Sequence, residues 1–299
     1  MQIVDPHHHL WDLSALRYPW LQGAASEAPF GDTGELRRNY LVSDYLADTA
    51  GWELVRSVHL QAECDHADPV AETRWLQSVA DHPDSCGFPH GIVAFADLSA
   101  DAAAVDAVLA AHRQFRNLRG IRQILSHHHD PRLAQAPRNY LEDARWCENF
   151  RLLEHHGLSF DAQLYCQQMP LAAGLARRNG GTTIIINHTG TPAEKDEAGL
   201  AGWRAGMLAL AACDNVAVKI SGLGMFDPHW TVDSIRPFVL ETIEMFGVGR
   251  CMFASNFPVD RLFGSFDRLF GAFAGITAAF SAAEQRALFH DNAVRIYRL

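Results

Sequence analysis

Short apolar runs rich in valine and isoleucine recur along this chain, and a segment with helical spacing of its apolar residues follows each run. Runs of this length predict strands, and apolar steps of three and four residues predict helices. Successive runs are spaced by roughly the thirty residues or more that a strand–helix unit occupies. We therefore predict eight strands: Gln2–Asp5, Leu54–Gln61, Gly91–Asp97, Arg119–Ile124, Ser159–Leu164, Thr182–His188, Val216–Ser221 and Cys251–Ser255.

Several helices carry recognisable start signals. Asp68, which a proline follows, is typical of an N-cap with proline in the first helical turn. Ser99 predicts the cap of the next helix, and Ser281–Glu284 predicts a capping box near the C-terminus. Asp291 is expected to open a last helix whose Tyr297 faces inward.

Strict alternation of strand and helix predicts parallel strands with helices packed outside them, because each connection must return over the sheet. Eight such units in 299 residues indicate an α/β protein built as a (β/α)₈ TIM barrel, with one domain over residues 1–299. A doubly wound sheet is the alternative fold. It is less favoured because no Gly-x-Gly-x-x-Gly turn follows any predicted strand.

One long segment, Trp11–Gly51, separates the first strand from the second and shows little regular periodicity. Loops of this length are usually functional or disordered, and this one is too rich in aromatic residues for disorder. We expect this segment, the long loop after the first strand, to cover the C-terminal mouth of the barrel.

Composition narrows the class of partner. The chain carries 25 Lys and Arg against 35 Asp and Glu, a formal charge of −10, and its basic residues are scattered. Nucleic acids and anionic membranes are poor partners for such a surface, so a small-molecule substrate is expected. The six cysteines form no Cys-x-x-Cys pair and no signal-peptide pattern is present, which favours reduced thiols and a cytoplasmic location. A monomer and a homodimer both remain open.

Polar residues gather where the predicted strands end, and reactive groups of such barrels stand at the C-terminal ends of the strands. His7 and His9 lie one residue apart and share a face, whereas His8 points away and is expected to pack. His188 ends the sixth strand. Three neutral imidazoles can hold a divalent ion, and without one they can act as acids or bases.

Other strand ends add candidate binding groups. Arg122 could bind a carboxylate or polarise a carbonyl, the alternative being a core ion pair with Asp97 or Glu63. Lys219 needs an anionic partner, either substrate or Asp161. Further candidates for substrate contact, through amide, hydroxyl or indole groups, are Gln61, Gln163, Ser221 and Trp11. For His127–His129 we expect a rim loop, with substrate contact or a second metal site as alternatives.

Several of these motifs resemble those of the amidohydrolase superfamily, specifically its amidohydrolase-related (amidohydrolase 2) branch. That branch holds lactonases resembling L-fucono- and L-rhamnonolactonase, and hydrolases of pyrone dicarboxylates and muconolactone. The matching segments are Asp5–Trp11, Ile186–His188, Val218–Leu223, Phe253–Pro258 and Phe289–Tyr297.

The resemblance implies that His7, His9 and His188 are metal ligands or catalytic histidines. This chain departs from the family at one position, because Asn256 stands where the family has an aspartate. Asparagine cannot serve as a general base. The implied cofactor is a divalent metal, with Zn²⁺ the first choice and a metal-free mechanism the alternative. Asp260 could supply the missing base, although we expect a surface carboxylate there.

We therefore expect a hydrolase that opens a lactone, of a sugar acid or of a small carboxylated ring, by attack of water on the carbonyl. In this hypothesis the three histidines polarise the carbonyl or activate the water, and Arg122 and Lys219 stabilise negative charge. A non-oxidative decarboxylase of an aromatic or hydroxy acid is an alternative. A catalytically idle barrel that binds a metabolite, suggested by Asn256, is another.

Overall fold

The computed structural model describes residues 1–24 and 28–299, and it contains one eight-stranded parallel sheet in which each strand pairs with the next along the chain. The predicted eight strands and the barrel are confirmed. Several strands are shorter than predicted, most clearly the third, sixth and eighth. The strands are β1 Gln2–His8, β2 Glu53–Leu60, β3 Gly91–Ala94, β4 Leu118–Arg122, β5 Ser159–Ala162, β6 Ile184–Ile186, β7 Val216–Ile220 and β8 Cys251–Phe253.

The barrel closes between the ends of β1 and the residues after β8. Asn256 N–H donates to His7 O at 2.8 Å, and His9 N–H donates to Phe257 O at 2.7 Å. β1 runs to His8, three residues beyond its predicted end, with an irregular register between Asp5 and His8. The closing contacts therefore place His7 and His9 at the seam, beside the end of β8.

Helices connect the strands, although two begin later than their sequence signals predict. The second long helix is capped by Asp101, whose carboxylate accepts Ala103 N–H, and not by Ser99. Asp68 accepts Val70 N–H, so the helix there starts at Ala71. The helices are α1 Pro19–Gln22, α2 Val42–Asp48, α3 Ala71–Asp81, α4 Ala102–His112, α5 Ala144–Asn149, α6 Leu152–His155, α7 Met169–Arg178, α8 Glu197–Ala211, α9 Val232–Phe246, α10 Phe266–Ile276, α11 Ala282–Arg286 and α12 Asn292–Tyr297.

Alternation along the strands divides the core into two layers. In β6, Ile184 and Ile186 face the helices, and Ile185 faces the barrel interior together with other strand residues and Tyr297 of α12. Burying one such isoleucine contributes about 1.5–3 kcal/mol. The same alternation turns Lys219 of β7 inward, between two residues that face the helices.

The long loop after the first strand is more ordered than expected, since it includes α1, α2 and a 3₁₀ turn at Gly34–Leu36. Residues 25–27 of this segment lie outside the described residues. Trp11 and Tyr40 exchange backbone hydrogen bonds and hold the segment against the barrel. Among the helices of the described ranges, none has the length and apolar character needed to cross a membrane.

Candidate active site at the mouth of the barrel

A cavity of about 430 Å³ opens where the strands end. Strand ends supply its polar wall, and the long loop after the first strand supplies much of its apolar wall, as the sequence predicts. The described lining residues are His9, Trp20, Ala28, Pro29, Phe30, Thr33, Ala62, Glu63, Arg122, Ile124, Ala134, Gln135, Gln163, His188, Met225, Asn256 and Val259.

His9 has a fixed tautomer. Its Nδ1 lies 2.8 Å from Leu60 O, and because a carbonyl oxygen only accepts, Nδ1 carries the proton and Nε2 keeps its lone pair. Burial holds the pKa of His9 well below its ordinary value, and the Arg122 guanidinium lowers it further. His9 is therefore a neutral imidazole that lines the cavity and can accept a proton.

His188 and His7 lie side by side, with ring centroids 4.5 Å apart. Ser221 Oγ holds His188 Nδ1 at 3.1 Å, from behind the ring. Gly222 follows with φ +62°, and a Cβ there would lie 2.5 Å from His188 Nδ1, so only glycine fits. The ring of His7 is also 5.1 Å from that of His9, which brings the three predicted histidines into one cluster.

Lys219 lies beneath this cluster, fully buried, and does not line the cavity. Its Nζ is 2.6 Å from Asp161 Oδ1 and 3.4 Å from His7 Nδ1. Burial lowers the pKa of Lys219 to about 8, although the Asp161 carboxylate opposes that shift. Of the two partners expected for Lys219, the structure therefore provides Asp161, and Lys219 reaches a substrate only through His7.

Arg122 is the one cationic side chain among the described lining residues. It donates from Nη1 to Gln163 Oε1 at 3.1 Å and from Nη2 to Gln61 O, and its other three N–H groups have no partner among the described residues. Burial lowers the pKa of Arg122. The ordinary pKa of a guanidinium is so high, however, that the group stays charged. Among the described residues, the core ion pair considered for Arg122 does not form with either partner: Asp97 accepts from Gln123, and Glu63 accepts from Gln61.

Asn256 and Asp260 form a pair at the end of β8. Asn256 Nδ2 donates to Asp260 Oδ1 at 2.9 Å, and Asn256 lines the cavity. Asp260 is only 5% exposed, so our expectation of a surface carboxylate is wrong. The turn that follows β8 folds the side chain inward, and burial raises the pKa of Asp260 to about 7.

The remaining candidates divide between the cavity and the layer behind it. Gln163 lines the cavity. The Gln61 side chain turns back to donate to Glu63 Oε1 at 2.6 Å and lies outside the described lining. Trp11 is buried behind the cavity, where its Nε1 donates to Arg38 O at 2.7 Å. Ser221 acts on His188 and does not reach the cavity.

Three lining residues have left-handed backbone conformations: Glu63 at φ +57°, His188 at φ +53° and Asn256 at φ +58°. Such conformations cost about 1–3 kcal/mol each and concentrate at functional sites. Glu63 was not chosen as a site residue from sequence. The signal was present, since it alternates with His59 and Gln61 at the end of the second strand.

His127–His129 lies on the rim. His128 Nδ1 accepts Asp130 N–H at 3.0 Å, so the His128 proton sits on Nε2, 3.4 Å from Glu194 Oε1. Within the described residues, His128, His129 and Glu194 form the one group of three potential ligand atoms within 4.8 Å of one another. A protonated Nε2 cannot ligate a metal ion, so this tautomer of His128 does not favour a metal at the rim.

Comparisons with known proteins identify the family of this chain. The family model described as amidohydrolase matches residues 4–299. An uncharacterized Sinorhizobium fredii protein, y4mH, is 46% identical over 99% of this chain and 98% of its own length. An L-fucono-1,5-lactonase of Burkholderia multivorans is 27% identical, covering 99% of this chain and 96% of its own.

Solved structures show the same likeness. A Burkholderia multivorans amidohydrolase with bound Zn superposes with a TM-score of 0.80 at 27% identity, covering 100% of both chains. A 2-pyrone-4,6-dicarboxylic acid hydrolase of Pseudomonas putida, at 19% identity and a TM-score of 0.71 over 99% of this chain and 97% of its own, shares the fold. With the family model matching almost the whole chain, this protein belongs to the amidohydrolase family.

Proposed function

We propose that this amidohydrolase opens a neutral lactone of a sugar acid. The observation that carries the proposal is the pairing, in one cavity, of a histidine with a fixed free lone pair and an arginine with unused donors. His9 Nε2 provides the base, and Arg122 provides N–H groups for the charge that develops on a carbonyl oxygen.

The reaction follows from these two groups. His9 Nε2 takes a proton from water as the water oxygen bonds to the lactone carbonyl carbon. The carbonyl oxygen becomes an oxyanion, which Arg122 N–H groups stabilise. When the ring C–O bond breaks, the imidazolium returns its proton to the leaving oxygen, which gives a hydroxy acid and restores neutral His9. A general base contributes about 10²–10⁴-fold to such a rate.

The charges of the cavity favour a neutral substrate over a carboxylated ring. Arg122 and Glu63 are the only formally charged side chains among the described lining residues, and their charges are opposite. A dicarboxylate would bring two negative charges to one cation, and the second would stay unpaired. Gln163 and Thr33 suit hydroxyl groups, and the relatives named L-fucono-1,5-lactonase support a sugar lactone.

The three histidines match a divalent ion only in part. His9 and His188 each hydrogen-bond a neighbouring residue through Nδ1, and this leaves Nε2 available. Metal-bound histidines show the same pattern. The Lys219 ammonium lies 3.4 Å from His7 Nδ1, however, and donation there places the His7 proton on Nε2. Among the described residues, the three potential ligand atoms that lie within 4.8 Å of one another belong to His128, His129 and Glu194 on the rim. The cluster therefore does not fit a bound Zn²⁺, and we assign no step to a metal.

A lactone panel tests the proposal. We expect purified enzyme to hydrolyse L-fucono-1,5-lactone or a related sugar lactone with kcat/KM of about 10⁴ M⁻¹ s⁻¹ or more. His9→Gln should lower kcat by about 10²–10⁴-fold, whereas His129→Gln, at an exposed position, should not affect it. Activity should also persist after chelation and removal of metal.

Two outcomes would contradict the proposal. One is hydrolysis of 2-pyrone-4,6-dicarboxylate with none of any sugar lactone. The other is release of CO₂ from hydroxybenzoates without lactone hydrolysis, which would indicate the decarboxylase alternative. Loss of activity on chelation, restored by Zn²⁺, would overturn the metal-free mechanism and leave the substrate assignment in place.

A further inference from the structure

The Asn256–Asp260 pair is rigidly placed. Besides the bond between the side chains, Asp260 N–H donates to Asn256 O at 3.1 Å, which closes the turn between them. Asn256 N–H in turn donates to His7 O as part of the barrel seam. Both residues are at most 5% exposed, but only Asn256 lines the cavity.

The pairing decides which way the amide of Asn256 points. An asparagine amide can be turned either way, but an ionised carboxylate only accepts and so selects the NH₂ side. The Asn256 Nδ2 donates to Asp260 and also lies 3.5 Å from Met225 Sδ, so both of its hydrogens are directed at these two side chains. Asn256 Oδ1 has no partner among the described residues, and it is the acceptor left for the cavity.

We propose that Asp260 is a positioning residue that holds the Asn256 amide with Oδ1 facing the cavity, where Oδ1 accepts a hydrogen bond from the attacking water. This inference rests on the proposed lactone hydrolysis. The water then donates one hydrogen to His9 Nε2 and the other to Asn256 Oδ1, and its lone pair is left for the carbonyl carbon. The carboxylate that the family resemblance leads one to expect at position 256 stands one turn later, behind the amide.

Replacing Asp260 by its isosteric amide tests the assignment. In Asp260→Asn the new side chain can donate or accept, so it no longer selects one orientation of Asn256. We expect kcat to fall by about 10- to 100-fold with KM nearly unchanged, because the lost contact is to water and not to substrate. Assays at pH 8.5 keep Asp260 ionised, since its pKa is about 7. The exposed Asp214→Asn is the matched control.

A swapped pair supplies the rescue. In the double variant Asn256→Asp/Asp260→Asn, the amide at position 260 donates to a carboxylate that presents an oxygen to the cavity. This variant should recover at least about ten-fold of the lost kcat. Recovery beyond that of the single variant Asn256→Asp would exclude both a merely structural role and a new carboxylate base at position 256, because only the double variant keeps the internal bond with its direction reversed.

A readout that needs no turnover separates the two proposals. The side-chain amide protons of Asn256 in ¹⁵N-labelled protein should show a strong downfield resonance that disappears in Asp260→Asn and stays in Asp214→Asn. Unchanged kcat and an unchanged amide resonance in Asp260→Asn would overturn the inference. Wild-type protein that hydrolyses no lactone but shows the amide signature would overturn the proposed function alone.

Discussion

Two sets of buried polar groups lie in the barrel interior and differ in their hydrogen bonding. We call the set around Asp161 the lower layer, and the set around His9 and Arg122 the upper layer. In the lower layer, the Asp161 carboxylate is bonded by Lys219 Nζ at 2.6 Å, Asn187 Nδ2 at 2.9 Å and Tyr297 OH at 2.8 Å. In the upper layer, His9 and Arg122 are also buried, but within the described part of the chain the His9 Nε2 lone pair and three Arg122 N–H groups have no partner. Burial is common to both layers, and what distinguishes them is that the Asp161 carboxylate is satisfied by three neighbours, although Asn187 Oδ1 beside it has no partner among the described residues.

The comparison shows that the buried polar groups of the two layers have different roles. A satisfied buried network stiffens the fold, whereas unsatisfied groups around a cavity are available to a ligand. His7 joins the two layers, because its Nδ1 contacts Lys219 and its Nε2 is buried without a partner. Removing a group should therefore cost activity in the upper layer and stability in the lower one.

The largest effect is expected from the upper layer, in His9→Gln. Glutamine keeps an amide N–H for Leu60 O but has no basic nitrogen, so kcat should fall by about 10²–10⁴-fold. The free energy of unfolding, from urea titration, should change by less than about 1 kcal/mol. If stability falls sharply while the remaining folded enzyme keeps its kcat, the division between the layers is wrong.

The lower layer is tested by Lys219→Met. This change leaves the Asp161 carboxylate buried without its cation, and we expect the free energy of unfolding to fall by about 3–5 kcal/mol. The double variant Lys219→Met/Asp161→Leu removes both charges and should regain much of that loss. A loss in the single variant no larger than that in the double variant would mean that the pair is not a stabilising network.

The pH profile sharpens the comparison further. Burial lowers the pKa of His9 below its ordinary 6.5, so the neutral, basic form persists as the pH falls to that value. In Asp260→Asn, where the Asp260 carboxyl with its pKa of about 7 no longer titrates, kcat/KM should stay flat from neutral pH to 6.5 and then decline about ten-fold per pH unit below the lowered pKa of His9. A decline centred at pH 6.5 or above would show that His9 is solvated like a free histidine, contrary to the buried upper layer.

Much of the lower layer could be predicted from sequence, and less of the upper layer. Alternation along β5 and β7 predicts that Asp161 and Lys219 both face the interior, where they pair. The direction of the Gln61 side chain could not be predicted, because Glu63 adopts a positive φ and its carboxylate accepts a hydrogen bond from the Gln61 amide. Burial of Asp260 depends on the left-handed turn at Asn256, which no local pattern encodes.

The smallest expected effect comes from Tyr297→Phe, at the base of the lower layer. The change removes one hydroxyl, and the aromatic ring can stay near Lys219 Nζ, which lies 5.1 Å from its centroid. Asp161 would keep its bonds to Lys219 and Asn187, so the free energy of unfolding should fall by only about 1–2 kcal/mol. kcat on the lactone should stay unchanged, because the cavity residues keep their contacts. A large fall in kcat at nearly full stability would show that the lower layer sets the chemistry of the histidines directly, and the two layers would then be one functional unit.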